Sequence, residues 1–335
     1  MKKYISVLLT IGLAVVMLSG CGSKNEAVQA ENVVLKIGVS TGDQDPRNIA
    51  AQEFAKEISE KTNGAISAMV YPSGQLGGDA ALIDAMAIDS KKVDIIITDA
   101  SNFATYEPKM GISAMPFLFD DFDTAWAFMD SNVEAKAEEL LVKNNMRVLA
   151  HYCNGFRCVT NSKHPIETPE DMKGLVIRTP ENPMIMATMT ALGANPQPLS
   201  FAELYPALRQ GTYDAQENPI PVIYNNKLYE VQKYLSITNH IYSGMCFTIS
   251  ESMWQKFSEE QKKIIQEAAL NSAQSDRTLN REQTESLTDD LEKAGMIVNS
   301  PDLGPFAAAT ASVLESNKST YGELYDELEK WKADR

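Results

Sequence analysis

Apolar positions along the first hundred residues change between the period of a strand and the period of a helix. Residues 33–40 and 66–70 form short apolar or alternating runs, and the stretch between them repeats with helical spacing. Residues 93–97 are almost continuously apolar, as in a parallel strand buried on both faces. Strand, helix, strand, helix, strand predicts an α/β lobe. Ligands of open α/β sheets bind at the carboxyl ends of the strands, so Asp99 and Asn102 are candidate cleft residues.

A second set of elements begins near residue 147. Residues 175–177 form a short apolar run that Arg178 closes. Ser200 and Glu203 have the spacing of a capping box at the start of a helix. These elements predict a second α/β lobe.

The longest periodic segment lies in the last third of the chain. Residues 258–294 contain neither glycine nor proline, and Ser258 and Gln261 have the spacing of a capping box. A single helix of this length would span roughly 55 Å, which is longer than one lobe. We expect a long helix that braces both lobes, with two helices joined by a break as the alternative.

The N-terminal segment has the pattern of an export signal. Lys2 and Lys3 precede an apolar run that ends in small residues just before Cys21. The run is shorter than the ~20 residues needed to cross a bilayer. The small pair before Cys21 resembles a bacterial lipobox, in which the cysteine is acylated and becomes the new N-terminus. An ordinary signal peptide cleaved near Ala30 is the alternative. Residues 22–32 are short and polar, as in a flexible tether.

Length and charge limit the possible partners. The chain has 335 residues, which is long for a single core and favours two lobes. Its formal net charge of −15 argues against nucleic acids and anionic headgroups as partners. A cleft can still be locally positive, so an anionic ligand remains compatible with this charge.

Cysteine and histidine usage indicates no metal site. Beyond Cys21 the chain has an odd number of cysteines, namely Cys153, Cys158 and Cys246. They form neither a CxxC pair nor a zinc-type spacing. Buried free thiols are expected, with one disulfide as the alternative in an oxidising compartment. The three histidines are scattered, and neither a metal nor a cofactor is predicted.

One motif points to an enzyme. Residues 38–42 match the nucleophile elbow G-x-S-x-G with Ser40 as the nucleophile. The elbow needs a sheet that is already formed, but the preceding strand is the first of the domain. His151, His164 and His240 lack the context of a partner base. A tight loop after the first strand would need the same glycines without any catalytic role. A lipid-anchored hydrolase is therefore kept only as an alternative function.

Three polar segments of the second lobe carry a family resemblance: Asn-Gly-Phe-Arg at 154–157, Gly-Leu-Val-Ile-Arg-Thr-Pro at 174–180, and Asp-Ala-Gln-Glu-Asn-Pro at 214–219. They resemble the solute-binding subunits of tripartite ATP-independent periplasmic (TRAP) transporters, of the dicarboxylate-binding type. The resemblance covers nearly the whole chain from Leu35 onward. Further matching segments follow the order of the family at 71–77, 116–119, 229–234 and 238–240.

The resemblance implies roles for four residues of the second lobe. Arg178 matches the arginine that pairs with the substrate carboxylate through two hydrogen bonds, for which a planar guanidinium is suited. Arg157 matches a second arginine facing the ligand, and Asn218 an asparagine near the same carboxylate. Phe201 matches an aromatic ring over the ligand. The alternatives are an ion pair at a strand end for Arg178, a surface salt bridge for Arg157 and a core position for Phe201.

The first lobe departs from the best-known relatives. Sialic-acid-binding members carry a glutamate and an arginine where this chain has Asp99 and Asn102. The loss of that arginine argues against sialic acid and favours a ligand with hydroxyl groups. Asp79 is a further candidate for a ligand hydroxyl, with capping of the following helix as its alternative.

The resemblance therefore implies an α/β, two-lobe, type II periplasmic-binding-protein-like fold with a long helix bracing both lobes. The expected division is a signal peptide at 1–20, a lipidated cysteine and tether at 21–32, lobe 1 at 33–153 plus about 243–283, and lobe 2 at 154–242 plus about 284–335.

The implied function is extracytoplasmic capture of a small organic acid for TRAP membrane subunits, without enzymatic activity. A sugar acid such as a uronate or aldonate is the first expectation, and a C4-dicarboxylate is the second. The expected partners are this ligand, the membrane subunits and, through the lipid anchor, the membrane. Besides the hydrolase using Ser40, a binding lipoprotein that serves a sensor kinase is an alternative.

Overall fold

The computed structural model describes residues 32–335. The predicted signal peptide, Cys21 and nearly all of the tether lie outside the described residues. Within them, every helix is too short or too polar to cross a bilayer.

The described residues contain nine strands in one mixed sheet. The strands are β1 (Val33–Gly38), β2 (Ile66–Tyr71), β3 (Ile95–Asp99), β4 (Met146–Asn161), β5 (Val176–Thr179), β6 (Asn195–Pro198), β7 (Ala215–Pro219), β8 (Tyr234–Ser250) and β9 (Ile297–Asn299). Their order is β2-β1-β3-β8-β4-β7-β5-β6, and β9 pairs with β8. The outer strands of each half pair in parallel, as β2-β1-β3 and as β7-β5-β6.

The two long antiparallel strands β4 and β8 belong to both halves of the sheet. β8 pairs with β3 in the first half, and β4 pairs with β7 in the second. Their register shifts between Cys153 and Gly155, where Gly155 has a φ of 112° that favours glycine. The long strands bend at this irregularity. We call residues 153–155 of β4 the crossover, because the long strands pass there from one half of the sheet to the other.

Helices cover both faces of the sheet. They are α1 (Pro46–Lys61), α2 (Asp79–Ala87), α3 (Phe122–Met129), α4 (Asn132–Glu139), α5 (Pro183–Ala191), α6 (Phe201–Arg209), α7 (Ile220–Asn225), α8 (Glu251–Trp254), α9 (Glu259–Lys293), α10 (Gly304–Tyr321) and α11 (Glu323–Ala333). Short 3₁₀ helices at Ala100–Thr105 and Pro108–Ala114 follow β3.

The long helix α9 is continuous over 35 residues and begins with the predicted capping box of Ser258 and Gln261. Its first half packs against α1 and β4, and its second half against α7. Asn225 of α7 donates to Gln283 at 2.9 Å. The expectation of one helix bracing both halves is confirmed, and the alternative of two helices is wrong.

Apolar side chains fill separate cores in the two halves. In the first, Phe54 of α1 meets Phe247 of β8 edge to face, with ring centroids 4.7 Å apart. In the second, Leu204 of α6 and Leu291 of α9 belong to one buried cluster. Complete burial of one such side chain stabilises the folded protein by about 1.5–3 kcal/mol.

Two local predictions change in the structure. Ser200 precedes α6, but its side chain makes no capping hydrogen bond, so the predicted capping box is wrong. The backbone N–H of Glu203 donates to the carbonyl of Ser200 instead. Cys153, Cys158 and Cys246 are buried and free, which confirms the first expectation for these thiols.

Candidate ligand-binding site

A cavity lies where the two halves of the sheet face each other. The carboxyl ends of β1 and β3 meet those of β5 and β7 there, as expected for an open α/β sheet. Its empty space, including the mouth, is about 420 Å³. All seven residues predicted for ligand binding line it: Asp79, Asp99, Asn102, Arg157, Arg178, Phe201 and Asn218.

Arg178 is a buried guanidinium without a carboxylate partner among the described residues. Its side chain is held at one edge, because Nε and Nη2 both donate to the carbonyl of Leu199, at 2.8 and 2.5 Å. The other edge faces the cavity, and the ring of Phe201 lies 5.8 Å from Cζ. Burial lowers the pKa of Arg178 to about 10, although Glu217 and Asp79 act against this. The side chain stays cationic and lacks a close counter-ion.

Arg157 is also buried, but its charge is compensated. Nε and Nη2 pair with the carboxylate of Glu217, and Nη2 also donates to Asn218 Oδ1 at 3.2 Å. Burial opposes the ionised form of Glu217, but Arg157 and His240 outweigh it and hold the pKa of this carboxyl below its usual value. Arg157 therefore enters the cavity as half of a buried ion pair, which differs from the surface salt bridge that was the alternative for this residue.

Asn218 and Phe201 both lie at the cavity. Asn218 donates to Gln216 Oε1 at 2.6 Å while its Oδ1 accepts from Arg157. Phe201 is the first residue of α6 and is half-buried at the cavity edge. The backbone therefore brings an amide and an aromatic ring to the same opening as Arg178.

Asp99 and Asn102 are more engaged within the protein than the sequence indicated. Asp99 ends β3 and accepts from the backbone and hydroxyl of Ser101 and from the hydroxyl of Ser243. Asn102 donates to Thr98 and accepts from Asn182, at 2.9 and 3.1 Å. Both line the cavity. Asn102 uses its amide to connect the two halves as well as to face the cavity.

Asp79 is the first residue of α2 but does not cap it. The N-cap is Gly78, and no side chain caps this helix. Burial raises the pKa of Asp79, and Arg47, Ser40 and Arg178 act against that rise. Asp79 is thus a carboxyl group near Arg178 that can accept or donate a hydrogen bond to a ligand.

Sequence reasoning missed Arg47 and Asn154. Arg47 is buried in the first turn of α1, where Nε donates to Asp45 at 2.8 Å and Nη2 donates to Asn154 across the crossover. Both line the cavity. The sequence did contain one signal for Arg47. A cation in the first turn of a helix is disfavoured by the helix dipole, so its presence suggests a specific partner.

Ser40 lines the cavity without a catalytic base. His151 bonds to Glu138 and Asp130, His240 to Glu217 and Thr238, and His164 to a backbone carbonyl. Within residues 32–335, no histidine hydrogen-bonds to Ser40. The loop lacks the nucleophile–base pair that a hydrolase requires.

Two facing α/β halves are joined by long strands, and polar groups converge between them. This is the architecture of a solute-binding protein. The family model for bacterial extracellular solute-binding proteins, family 7 (DctP), matches residues 37–320. The chain is 34% identical over 290 residues to the 2,3-diketo-L-gulonate-binding periplasmic protein YiaO of Escherichia coli K12, covering 87% of each chain. It is 32% identical over 314 residues to the sialic acid-binding periplasmic protein SiaP of Vibrio cholerae, covering 93% of this chain and 95% of that one.

Solved structures show the same fold. A TRAP periplasmic solute-binding protein from Polaromonas sp. JS666, bound to D-erythronate, is 32% identical with a TM-score of 0.85, covering 88% of this chain and 98% of that one. The sugar acid-binding protein DctPAm from Advenella mimigardefordensis DPN7T, in complex with galactonate, is 29% identical with a TM-score of 0.86, covering 91% and 99%.

The chain belongs to the DctP family of extracellular solute-binding proteins. It is a TRAP-type solute-binding protein with the two-lobe fold and is not an enzyme, which confirms the family, fold and functional class predicted from sequence. Its family places it outside the cytoplasm. The ligand roles of the seven cavity residues and the lobe boundaries stay predictions.

Proposed function

We propose that this protein captures a sugar acid with one carboxylate, such as an aldonate or uronate, and delivers it to TRAP membrane subunits. The observation that carries this proposal is Arg178, which is buried and cationic and has no carboxylate partner among the described residues. A ligand carboxylate would supply the missing charge at the edge of the guanidinium that faces the cavity.

The other charges of the cavity favour hydroxyl groups over a second carboxylate. Arg47 is paired with Asp45, and Arg157 with Glu217, so neither is a free cation. The remaining carboxyl groups, including Asp79, would repel a second anionic group and accept hydrogen bonds from hydroxyls. This arrangement supports a polyhydroxy monocarboxylate ahead of a C4-dicarboxylate, as do the related structures with bound D-erythronate and galactonate.

Ligand binding would act by favouring a closed form. We place lobe 1 at residues 33–153 plus about 243–283 and lobe 2 at 154–242 plus about 284–335, with the crossover between them. Arg178 belongs to lobe 2, and Asp79 and Asp99 to lobe 1. A ligand that contacts both lobes binds the closed form better and shifts the population toward it.

Calorimetry on an acid chosen by thermal shift tests the role of Arg178. The panel is D-erythronate, galactonate, glucuronate, succinate and malate, since binding to the folded state alone raises the melting temperature. Arg178→Ala should cost roughly 2–5 kcal/mol in affinity, because a desolvated carboxylate loses its partner. Arg178→Lys should recover little, since an ammonium cannot reproduce the two-pronged geometry.

Arg209→Ala is the matched control, because Arg209 is exposed on α6 and outside the cavity. It should bind as the unmodified protein does. Near-normal affinity in Arg178→Ala, with unchanged melting in the absence of ligand, would show that another group holds the carboxylate. Preference for succinate or malate would instead contradict the monocarboxylate assignment.

We also propose that Cys21 is acylated and tethers the domain to a membrane surface. The support is the lipobox-like sequence that precedes it. Several acyl chains at ~0.8 kcal/mol per buried methylene would anchor it firmly. Cys21→Ser should move the protein to the soluble fraction with unchanged ligand affinity. Mass spectrometry showing an unmodified N-terminus well past Cys21 would contradict the anchor.

A further inference from the structure

A second group of chemistry-bearing side chains lies outside the ligand cavity, between α4 and the sheet. His151 of β4 and Cys246 of β8 are directly opposite each other in the antiparallel ladder. Side chains of such a pair stand on one face of the sheet, about 4.5–5.5 Å apart at Cβ. Glu138 of α4 covers them. We call these three residues the Glu138 cluster.

The ligating atoms of the Glu138 cluster already converge. One nitrogen, one sulfur and one carboxylate oxygen lie within 4.8 Å of one another. His151 Nε2 is hydrogen-bonded to Glu138 Oε1, and Cys246 Sγ is 3.9 Å from the same oxygen. Tetrahedral zinc bonds of about 2.0–2.3 Å place ligand atoms roughly 3.3–3.8 Å apart, so small side-chain shifts suffice.

The outer hydrogen bonds of a metal-binding histidine are also present. His151 Nδ1 lies 3.1 Å from Asp130 Oδ1, which fixes the ring and directs Nε2 into the cluster. Asp130 is in turn held by Arg277 through two hydrogen bonds of 2.7 Å. Metal-binding histidines typically donate their second N–H to a carboxylate in this way.

An unpartnered carboxylate oxygen lies beside the cluster. Glu134 is one helical turn before Glu138 on α4 and has no exposed surface. Its Oε1 accepts from Ser113 at 3.2 Å, and its Oε2 is buried without a hydrogen-bond partner among the described residues. Glu134 is four residues before Glu138, so both side chains lie on the same face of α4. A buried acceptor without a donor is costly unless a ligand satisfies it.

We propose that the Glu138 cluster binds one zinc ion through His151 Nε2, the Cys246 thiolate and a Glu138 carboxylate oxygen, with Glu134 or water as the fourth ligand. This mixed N, S and O set suits the borderline-soft zinc ion better than calcium or magnesium, which prefer oxygen alone. With water as the fourth ligand, one thiolate and the Glu138 carboxylate balance the double charge of the ion, which matters in a buried site. Binding releases the thiol proton and the proton shared by His151 and Glu138.

This site is independent of the ligand cavity. Met245 lines that cavity, and Cys246 is the next residue, so it points to the opposite face of the strand. The side chains of His151 and Glu138 are each 12% exposed, which leaves a route from solvent. No sequence motif indicates the site, because its ligands come from three different elements and Cys246 is distant in the chain from Glu138 and His151.

Cobalt(II) is the direct probe, because it substitutes for zinc and reports on its ligands. The purified full-length protein is stripped with a chelator, kept reduced and titrated with cobalt. We expect one cobalt per chain, a sulfur-to-cobalt charge-transfer band, intense tetrahedral d–d bands, and loss of all three on adding zinc. Cys246→Ser should remove the sulfur band and weaken zinc binding at least about 100-fold, since Cys246 supplies a metal ligand.

The control is Cys158→Ser, which makes the same change at another buried free thiol and should keep the band. Asp130→Asn should keep the band and weaken zinc binding about 10–100-fold, as loss of an outer hydrogen bond does. Absence of stoichiometric uptake, or a band that survives in Cys246→Ser, would overturn the proposal. The proposal would also fail if the bound cobalt shows no sulfur-to-cobalt band and is displaced by galactonate. Such an ion would lie in the ligand cavity. The unmodified protein decides the question even if a variant fails to fold.

Discussion

The charge of Arg157 is stabilised by a network of buried side chains rather than by solvent. Glu217 pairs with it and accepts from His240 Nε2 at 3.3 Å, while His240 Nδ1 lies 2.9 Å from the hydroxyl of Thr238. A neutral imidazole satisfies both contacts, because Nε2–H donates and Nδ1 accepts. Breaking a buried pair by removing one partner typically costs about 3–5 kcal/mol. Glu217 therefore positions Arg157, and His240 supports Glu217.

His240 should make the protein sensitive to mild acid. Burial lowers the pKa of its imidazole below 6.5, against the effect of Glu217. The unfolded chain then binds the proton more tightly, so stability is full above pH 6.5 and falls as pH drops toward the folded-state pKa. The slope is at most about 1.4 kcal/mol per pH unit. In His240→Gln, which can still donate to Glu217, melting should depend less on pH between about 6.5 and 5.

The exposed His164 provides the comparison for that experiment. His164→Gln should keep the acid dependence of the unmodified protein, since its ring contacts only a backbone carbonyl among the described residues. Equal slopes for His240→Gln and the unmodified protein would show that His240 is not the titrating group. Melting followed by circular dichroism at several pH values makes the measurement.

At this scale the sequence predicted which residue types reach the cavity, but not how their charges are distributed. Motifs located Arg157 and Arg178 equally well. Only the fold shows that Glu217 neutralises the first and that a backbone carbonyl holds the second. Arg47 was missed because its partners, including Asn154, come from a distant part of the chain.

Among the elements, α9 was predictable because its signals are local. A capping box and an uninterrupted helical period define it without reference to tertiary contacts. The course of β4 could not be predicted from the sequence, because its bend at the crossover depends on pairing with β8. The absent cap at Ser200 shows a similar limit, since a local motif does not by itself determine which hydrogen bond a side chain makes.

α9 places a buried carboxyl group against the crossover. Asp276 Oδ2 accepts from the backbone N–H of Cys153 at 2.5 Å, and Asn280 donates to the carbonyls of Cys153 and Asn154 at 3.0 and 3.1 Å. Asp276 Oδ1 and Asn280 Oδ1 have no hydrogen-bond partner among the described residues. Asp276 and Asn280 are one turn apart, so a proton on Asp276 would provide a donor near the second oxygen.

Asp276→Asn should therefore stabilise the protein at neutral and alkaline pH. Burial raises the pKa of Asp276 well above 3.8, so its contribution is full below that value and is lost as pH rises toward the folded-state pKa. The amide keeps an acceptor for Cys153 and cannot ionise. The melting temperature of the variant should exceed that of the unmodified protein by a margin that grows from about pH 5 to pH 8.

Asp276→Ala provides the contrast for the same site. It leaves the Cys153 N–H unpaired and should cost about 1–3 kcal/mol near pH 5. This cost should shrink as pH rises, because the alanine variant also lacks the carboxyl group whose ionisation destabilises the unmodified protein. Destabilisation by Asp276→Asn as large as by Asp276→Ala would mean that the charge of Asp276 is required in the folded state. The burial argument would then fail for this group.

For the whole molecule, the two halves touch directly beside the cavity. Asn182 at the start of α5 donates to Ser101 and Asn102 beyond β3, at 2.5 and 3.1 Å. At another point, a Cβ atom built on Gly78 would lie 3.0 Å from the hydroxyl of Ser200. These contacts join segments that we assign to different lobes, so their strength bears on closure.

Gly78 offers a way to oppose closure without touching a polar group of the site. Its φ of −75° suits any residue, so a side chain strains the contact with Ser200 and not its own backbone. Gly78→Val should weaken binding of the best acid of the panel at least about tenfold, or about 1.4 kcal/mol. Melting without ligand should change little beyond the ~0.5–1 kcal/mol that a poorer N-cap costs α2.

The compensating change is Ser200→Gly, which removes the atoms that the introduced valine side chain would strike. It is inexpensive for α6, because the Ser200 side chain makes no capping bond. The double variant should regain most of the lost affinity, and small-angle scattering with saturating ligand should show a smaller radius of gyration than for Gly78→Val alone. If Gly78→Val binds normally, the halves do not approach here in the bound form. If the double variant fails to recover, the lost affinity has a source other than this contact, and the closing surfaces must lie elsewhere along the cleft.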